Sequence, residues 1–162
     1  MIRSGLGRDF HRLEQGRPFL LAGVELPSDR GEVGHSDGDV LAHAVIDALL
    51  GAAALGDIGE MFPPGDPAWK DACSMELLRL AWEKVKAAGW GLVNLDCVII
   101  CERPRILPFR DRIREALAAA LGVEREAVFI KGKTSEALGI IGEGLAAEAE
   151  ALCLLERQDR GP

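Results

Sequence analysis

Apolar and polar residues follow two different periods along the first third of the chain. Alternation over residues 6–13 and a mostly apolar stretch over residues 19–26, closed by Pro27, predict two extended segments. A loop over residues 31–36 then leads into an apolar stripe at three- and four-residue spacing, which predicts a helix over residues 37–53.

Residues that begin and end helices divide the middle of the chain. Ser74 is a favourable N-cap, and Pro108 suits the first turn of a helix. Gly89 and Gly122 suit the position just after a helix. The pattern predicts a Gly- and Pro-rich loop over residues 55–71, helices over 74–89 and 108–121, and strands over 92–101 and 127–131.

The segment over residues 145–155 supports two interpretations. Its alanines, leucines and glutamates are good helix formers. Glu148 and Glu150, however, alternate with alanines, and a period of two is typical of a strand with one polar face. We expect a strand. The chain is then an α+β protein: one domain over residues 1–162, with helices packed on one face of a small mixed sheet in a ferredoxin-like layer.

Composition narrows the classes of protein to which the chain can belong. The 162 residues are 48% hydrophobic and 28% charged, which suits a folded domain with a buried core. The formal net charge of −7 argues against nucleic acid or an anionic membrane surface as a partner. An acidic protein can still bind an anionic substrate where a metal ion or a helix N-terminus supplies positive charge.

Targeting and cysteine signals favour a cytoplasmic protein. The first residues lack the build of a secretory signal, and no apolar run approaches the roughly 20 residues that span a bilayer. The four cysteines (Cys73, Cys97, Cys101 and Cys153) form no C-x-x-C pair. We interpret them as reduced thiols.

A metal site is suggested by the histidines, all three of which fall within the first 43 residues. Asp9 and His11 are two residues apart on a predicted strand and therefore share a face, and His43 lies on the helix that follows. One carboxylate with two imidazoles suits Zn²⁺ and leaves a fourth position for substrate or water, the pattern of catalytic zinc. Two unrelated surface residues remain the alternative for the D-x-H pair.

Asp47 lies four residues after His43 and shares its helical face. Metal-bound imidazoles usually donate their second N–H to an acceptor, and Asp47 is a candidate for that role. The alternative is a carboxylate stabilised by the helix dipole.

Two further polar segments are candidates for binding phosphate and a second metal. Residues 35–39, His-Ser-Asp-Gly-Asp, sit at a predicted helix start, where free N–H groups can cradle a phosphate, or where Ser36 or Asp37 simply caps the helix. Residues 133–136, Lys-Thr-Ser-Glu, offer the hard oxygen ligands that Mg²⁺ prefers, or a plain capping box.

Taken together, these segments strongly resemble the 2-C-methyl-D-erythritol 2,4-cyclodiphosphate synthase family. The HSDGD-x-x-x-H block, with GDIG downstream, is highly specific. The match spans nearly the whole chain and is carried by residues 7–11, 35–39, 43–52, 54–59, 104–108 and 134–139.

The resemblance implies an intramolecular phosphoryl transfer. The 2-phosphate of a CDP-linked methylerythritol attacks the β-phosphorus, which forms a cyclic diphosphate and expels CMP. It implies Zn²⁺ on Asp9, His11 and His43, and a second ion, Mg²⁺ or Mn²⁺, on Glu136. His35 and Thr134 match the family's positions that stabilise the transition state.

It also implies a set of substrate contacts and a homotrimer with each active site shared between neighbouring subunits. The C-terminal segment is a strand in the family, which supports the expectation above. The chain departs from the family pattern at Pro64 and over residues 138–144, where Ile140 replaces an aromatic residue and an arginine is missing. The positions that match substrate contacts are Asp9, His11, His35, Ser36, Asp57, Gly59, Phe62, Asp66, Cys101, Pro104, Ile106, Leu107, Lys133, Thr134 and Glu136.

Two other functions would use the same residues. A zinc phosphohydrolase would activate water at the open metal position. A nucleotide- or metal-binding module without enzymatic activity would not need Glu136.

Overall fold

The computed structural model describes residues 1–158, so the last four residues of the expected domain over 1–162 lie outside the described part. The strands are β1 (Ile2–Gln15), β2 (Phe19–Leu21), β3 (Val24–Leu26), β4 (Arg30–Glu32), β5 (Trp90–Ile100), β6 (Val128–Lys133) and β7 (Ala146–Arg157). The α-helices are α1 (Val40–Ala53), α2 (Ile58–Met61), α3 (Ser74–Ala87), α4 (Arg110–Leu121) and α5 (Gly139–Gly142).

Five strands form one mixed sheet in the order β4-β1-β7-β5-β6, and β2 pairs with β3 in a separate hairpin. β5 and β6 are parallel, whereas the other neighbours in the sheet are antiparallel. This confirms the expected α+β class with a mixed sheet. The ferredoxin-like layer is wrong, because its sheet is antiparallel, whereas β5 and β6 are joined through helix α4 and pair in parallel. Strand β6 then continues to β7 without a long helix.

One face of the sheet is covered by helices. Ala147, Ala149 and Ala151 of β7 are buried in the core, and the thiol of Cys153 donates to the Ala48 carbonyl of α1 at 3.3 Å. The other face carries exposed apolar side chains, among them Leu6. Small residues on the covered face therefore let α1 lie directly on the central strands.

Most predicted elements are present with shifted ends. The segment over 145–155 is the strand β7, as expected. The stretch over 19–26 is a hairpin rather than one strand, because Ala22 and Gly23 both adopt positive φ and turn the chain. The Gly- and Pro-rich loop contains the single turn α2, and helix α1 begins at Val40, three residues later than predicted.

No helix within residues 1–158 combines the length and the apolar character that a membrane crossing requires.

Candidate metal centre and neighbouring cavities

Strand β1 and helix α1 bring Asp9, His11 and His43 to one point, and we call these three residues the metal triad. Oδ2 of Asp9 lies 3.0 Å from Nε2 of His11 and 2.9 Å from Nδ1 of His43. One ligand atom from each residue lies within 4.8 Å of the other two. The other Asp9 oxygen accepts the N–H of Phe10 at 2.9 Å, which helps to turn Oδ2 toward the imidazoles.

The two imidazoles dominate the electrostatics of the triad. Burial alone would raise the pKa of Asp9, but hydrogen bonds and charge from His11 and His43 lower that pKa well below its ordinary value. Burial would lower the pKa of His11, but the hydrogen bond and charge of Asp9 raise it. The carboxylate is therefore ionised at neutral pH and available to bind a cation.

The tautomer of His11 is fixed by the backbone. Its Nδ1 lies 2.6 Å from the carbonyl oxygen of Gly38, and because a carbonyl can only accept, Nδ1 carries the proton. Nε2, 3.0 Å from Oδ2 of Asp9, is then the nitrogen left for a metal ion at the centre of the triad. Such a bond to the second nitrogen is the usual support of a metal-bound histidine.

Asp47 does not give His43 the support that the helical spacing suggested. Nδ1 of His43 faces Asp9, and Nε2 contacts the hydroxyls of Ser36 at 3.0 Å and Ser74 at 2.9 Å. Asp47 instead accepts the N–H of Ile58 at 2.8 Å. Helical spacing placed Asp47 on the correct face of α1, but a free N–H at the start of α2 lies there too and binds the carboxylate.

The metal triad fits a bound metal ion by the chemistry of its donors. One carboxylate oxygen and two imidazole nitrogens are the ligand types of catalytic zinc sites, and three protein ligands leave a position open. Within residues 1–158, this is the one group of three or more His, Cys, Asp or Glu residues whose ligand atoms converge in this way. The structure thus supports a potential metal site at the triad.

The metal triad lines a cavity of about 240 Å³, which we call the triad cavity. Four further predicted site residues lie on its wall: His35, Ser36, Gly59 and Phe62. Sequence reasoning missed Ile58, Trp69 and Leu77, which also line it. Apolar residues spread along a loop and a helix give no local signal that they meet at a cavity.

The N-terminus of α1 is capped by a residue of the predicted phosphate-binding segment. Asp39 is the N-cap, and its fully buried carboxylate accepts the N–H groups of Ala42, Ala22 and Gly23. Burial raises the pKa of Asp39, and those three N–H groups only partly offset the shift.

Asp57 and Asp66, both expected near the substrate, cap short helical turns. Asp57 accepts the N–H of Glu60 at 2.8 Å, and Asp66 accepts the N–H of Ala68 at 2.9 Å. Both aspartates are exposed. Each lies in the connection between α1 and α3, which also supplies Phe62 to the triad cavity.

A second cavity, of about 310 Å³, lies beyond the ends of β5 and β6. The thiol of Cys101 donates to the Pro104 carbonyl at 3.5 Å on its wall, and burial raises the pKa of Cys101 to about 12, so the thiol stays protonated. Six predicted site residues line this second cavity: Cys101, Pro104, Ile106, Leu107, Lys133 and Thr134.

Glu136 lies on an exposed loop just after β6. The hydroxyl of Thr134 donates to its carboxylate at 3.0 Å. Glu136 and Ala137 both adopt positive φ, which turns the chain sharply away from the strand. The structure brings Thr134 and Glu136 together, but among the described lining residues none is shared by the triad cavity and the second cavity.

Comparison with known proteins gives one consistent result. The 2-C-methyl-D-erythritol 2,4-cyclodiphosphate synthase of Treponema denticola is 56% identical over 154 residues, covering 95% of this chain and 96% of that protein. The synthase of the same name from Moorella thermoacetica is 52% identical over 160 residues, covering 99% and 98%.

Solved structures agree with the sequence matches. A 2C-methyl-D-erythritol-2,4-cyclodiphosphate synthase in a CDP-bound form superposes with a TM-score of 0.88 at 40% identity, covering 95% of this chain and all of that one. The bifunctional IspDF from Campylobacter jejuni gives 0.94 at 40% identity, covering 98% of this chain and 43% of that longer one. Residues 2–156 also match the YgbB family, and the chain therefore belongs to the YgbB family.

Proposed function

We propose that this chain converts 4-diphosphocytidyl-2-C-methyl-D-erythritol 2-phosphate into 2-C-methyl-D-erythritol 2,4-cyclodiphosphate and CMP, in the methylerythritol phosphate route to isoprenoids. The observation that carries the proposal is the metal triad converging on the wall of a cavity that also holds His35 and Ser36. Relatives more than half identical over almost the whole chain bear the name of this synthase.

The reaction forms one P–O bond and breaks another. An oxygen of the 2-phosphate attacks the β-phosphorus, the bond from that phosphorus to the bridging oxygen breaks, and CMP leaves with that oxygen. The difficulty is that two anionic groups must approach each other in a site of low dielectric. Alignment and neutralisation of charge therefore supply most of the rate, and no covalent nucleophile is needed.

The metal triad would hold Zn²⁺, and Glu136 would hold the second divalent ion, Mg²⁺ or Mn²⁺. Bound zinc supplies a Lewis acid and a template for phosphoryl oxygens. A single exposed carboxylate suits an ion that keeps water and substrate phosphate as its other ligands. The carboxylate of Asp9, with its lowered pKa, remains ionised and ready to bind zinc at neutral pH.

Polar side chains beside the triad are suited to hold the reacting phosphates. His35 and Ser36 line the triad cavity and can donate hydrogen bonds to phosphoryl oxygens as charge develops. Thr134 and Lys133 line the second cavity and can do the same at the leaving phosphate. Asp57, Gly59, Phe62 and Asp66 are the proposed neighbours of the methylerythritol.

The second cavity is the proposed cytidine site. The base would lie against Cys101, Pro104, Ile106 and Leu107, which combine apolar contact with backbone groups able to read its edge. The CDP-bound structure of a relative supports a nucleotide ligand.

We further propose a homotrimer of single-domain subunits, each comprising residues 1–162, in the cytoplasm. The triad cavity and the second cavity share no described lining residue, and two adjacent subunits could place the triad cavity of one against the second cavity of the other. One subunit would supply the zinc side, and its neighbour the cytidine side with Glu136. The unpaired cysteines suit the reducing cytoplasm.

Phosphorus NMR of the purified chain with the CDP-methylerythritol 2-phosphate substrate tests the proposal. We expect CMP and a cyclic diphosphate in equal amounts, no inorganic phosphate, loss of turnover on zinc removal, and recovery when zinc is restored. Glu136→Gln should lower turnover by at least about 100-fold, since it removes the carboxylate that would hold the second divalent ion.

The other functions predict different spectra. A phosphohydrolase would release inorganic phosphate or an open monophosphate, and a binding module would leave the substrate intact. Either result would contradict the synthase, as would full turnover by protein that elemental analysis shows to be free of zinc.

A further inference from the structure

Nε2 of His43 lies between two serine hydroxyls that come from different parts of the chain. Oγ of Ser74, the first residue of α3, is 2.9 Å away, and Oγ of Ser36 is 3.0 Å away. The two hydroxyls are 3.2 Å from each other. His43 is thus held on its far side by a small buried polar cluster, while Nδ1 faces Asp9.

Asp37 anchors one of these hydroxyls. Its carboxylate accepts the Oγ–H of Ser74 in a short hydrogen bond through Oδ1 and the Ser74 N–H at 2.9 Å through Oδ2. Oδ1 also accepts the N–H of Asp39 at 3.2 Å. Because the Ser74 hydroxyl already donates its hydrogen bond to the carboxylate of Asp37, it can act toward His43 only as an acceptor.

The direction of these bonds determines which nitrogen of His43 keeps its proton when a metal ion binds. An acceptor at Nε2 requires a proton on Nε2, so Nδ1, 2.9 Å from Oδ2 of Asp9, is the nitrogen left for a metal ion at the centre of the metal triad. We propose that Ser74, polarised by Asp37, is a positioning residue that fixes His43 as an Nδ1 metal ligand. The inference rests on the metal site of the proposed function and adds the group that orients its third ligand.

Ser74 suits this role better than Ser36. Ser74 is fully buried and its hydroxyl is bonded to a carboxylate. Ser36 lies on the wall of the triad cavity, and its hydroxyl accepts the backbone N–H of Gly38 only at 3.5 Å. The Ser36 hydroxyl thus remains available to a ligand in the cavity. Ser74 remains directed at His43 whether or not the cavity is filled.

The two histidines of the triad then use opposite ring nitrogens for the metal. His11 donates from Nδ1 to the carbonyl of Gly38 and presents Nε2, while His43 donates from Nε2 and presents Nδ1. Both supporting acceptors depend on the segment over residues 37–38, which Asp37 ties to the start of α3. The N-terminus of α3 is therefore part of the metal centre, although it supplies no ligand.

Zinc affinity tests the proposal without use of the substrate. The purified full chain is stripped of metal, and the zinc dissociation constant is measured by competition with a chromogenic chelator. We expect Ser74→Ala to raise it by roughly 10- to 100-fold, the usual effect of removing a group that supports a metal ligand. Ser74→Thr, which keeps the hydroxyl, should stay within about threefold, and Ser36→Ala should have the smaller effect of the two alanine variants.

A double-mutant cycle tests whether Asp37 acts through Ser74. Asp37→Asn should weaken zinc binding by itself and add little in the Ser74→Ala background, because both changes remove the same support. In the zinc-loaded wild-type protein, long-range ¹H–¹⁵N spectra should place the ring proton of His43 on Nε2. Exchange of that proton with water should accelerate in Ser74→Ala.

Cys153→Ala is a matched control for loss of a buried polar atom that contacts α1. The Cys153 thiol donates to Ala48 of the same helix, away from the triad, so its removal should leave zinc affinity unchanged. Thermal unfolding of each metal-free variant shows whether it folds. If Ser74→Ala does not fold, Asp37→Asn takes its place in the comparison of zinc affinity with the wild type.

Unchanged zinc affinity in folded Ser74→Ala, an equal loss in Ser74→Thr, or a ring proton on Nδ1 would overturn the proposal. Failure of the proposed reaction is a separate outcome. A chain that binds zinc through Ser74-supported His43 but forms no cyclic diphosphate would retain this inference and lose the synthase.

Discussion

At the scale of single residues, the metal triad depends on groups that are not ligands. Gly38 and Ser74 each accept a hydrogen bond from the far side of an imidazole and so direct the other nitrogen toward Asp9. Glu32 is different: it is buried, and neither carboxylate oxygen makes a hydrogen bond of good geometry within the described residues, while the N–H groups of Leu20 and Val40 lie close enough to lower its pKa only in part. Burial, with the charge of Asp39, raises the pKa of Glu32 well above its ordinary value.

Glu32→Gln should therefore stabilise the protein in a pH-dependent way. Below the ordinary pKa of a glutamate, both states of the wild type hold the proton and the variant gains little. As the pH rises, the unfolded state ionises first, so the wild type loses stability and the variant does not. We expect an advantage of roughly 1–3 kcal/mol at pH 8, the cost of a desolvated unpaired group.

Thermal unfolding at pH 4 and pH 8 measures this difference. Glu25 lies on the nearby hairpin and is exposed, so Glu25→Gln is the matched control and should show no such dependence. An equal change in melting temperature at both pH values for Glu32→Gln would show that the buried carboxyl does not titrate in this range.

At the scale of elements, sequence periods predicted the framework well. The alternation of Glu148 and Glu150 with alanines marks β7 correctly, because Ala147, Ala149 and Ala151 face α1 and its neighbours. The hairpin over residues 19–26 was missed, since its turn uses Ala22 and Gly23 rather than an Asn-Gly or Asp-Gly pair.

The site was predictable where its residues are close in sequence and not where it depends on distant segments. Asp9 and His11 share a strand face, so the spacing identifies them. Ser74 lies 31 residues from His43 in the chain, and its sequence context indicates nothing beyond a helix start. Asp47 was predicted to support His43 because the two residues share a helical face. That spacing does not reveal the N–H of Ile58, which binds the Asp47 carboxylate instead.

Close contact between β1 and α1 gives the element-scale prediction. A Cβ added at Gly7 would lie 1.9 Å from the Ala44 carbonyl oxygen, so a side chain there must push α1 away from the strand. Because β1 carries Asp9 and α1 carries His43, Gly7→Ala should lower both stability, by about 1–3 kcal/mol or more, and zinc affinity. Denaturant unfolding and chelator competition measure the two effects.

Gly51→Ala provides the contrasting case on the same helix. Its added Cβ has no heavy atom within 4 Å, so the change should stabilise α1 by about 0.5–1 kcal/mol through helix propensity. Zinc affinity should not change. If Gly7→Ala behaved like Gly51→Ala, the close packing of β1 on α1 would not set the geometry of the triad.

At the scale of the whole molecule, the sheet face away from the helices resembles an interface. Leu6 and Leu152 pair across β1 and β7 and are exposed by 69% and 43%. On the same face Arg8 forms an ion pair with Glu148, which is buried by its neighbours. Apolar side chains around a satisfied ion pair are typical of a buried contact between subunits, and we expect this face to lie at the centre of the proposed trimer.

Leu6→Lys should separate the subunits, because each trimer would then have to bury three unpaired charges in one apolar contact. Light scattering coupled to gel filtration should change from three times the 17.4 kDa chain mass to a single chain. Turnover should be lost with the trimer, since the triad cavity and the second cavity would no longer meet across subunits.

Leu80→Lys is the matched control: Leu80 is also exposed, but on α3, and its change should leave mass and turnover intact. A wild-type chain that is monomeric and active would place the complete active site in one subunit. Leu6→Lys trimers with normal turnover would remove the role proposed for this face.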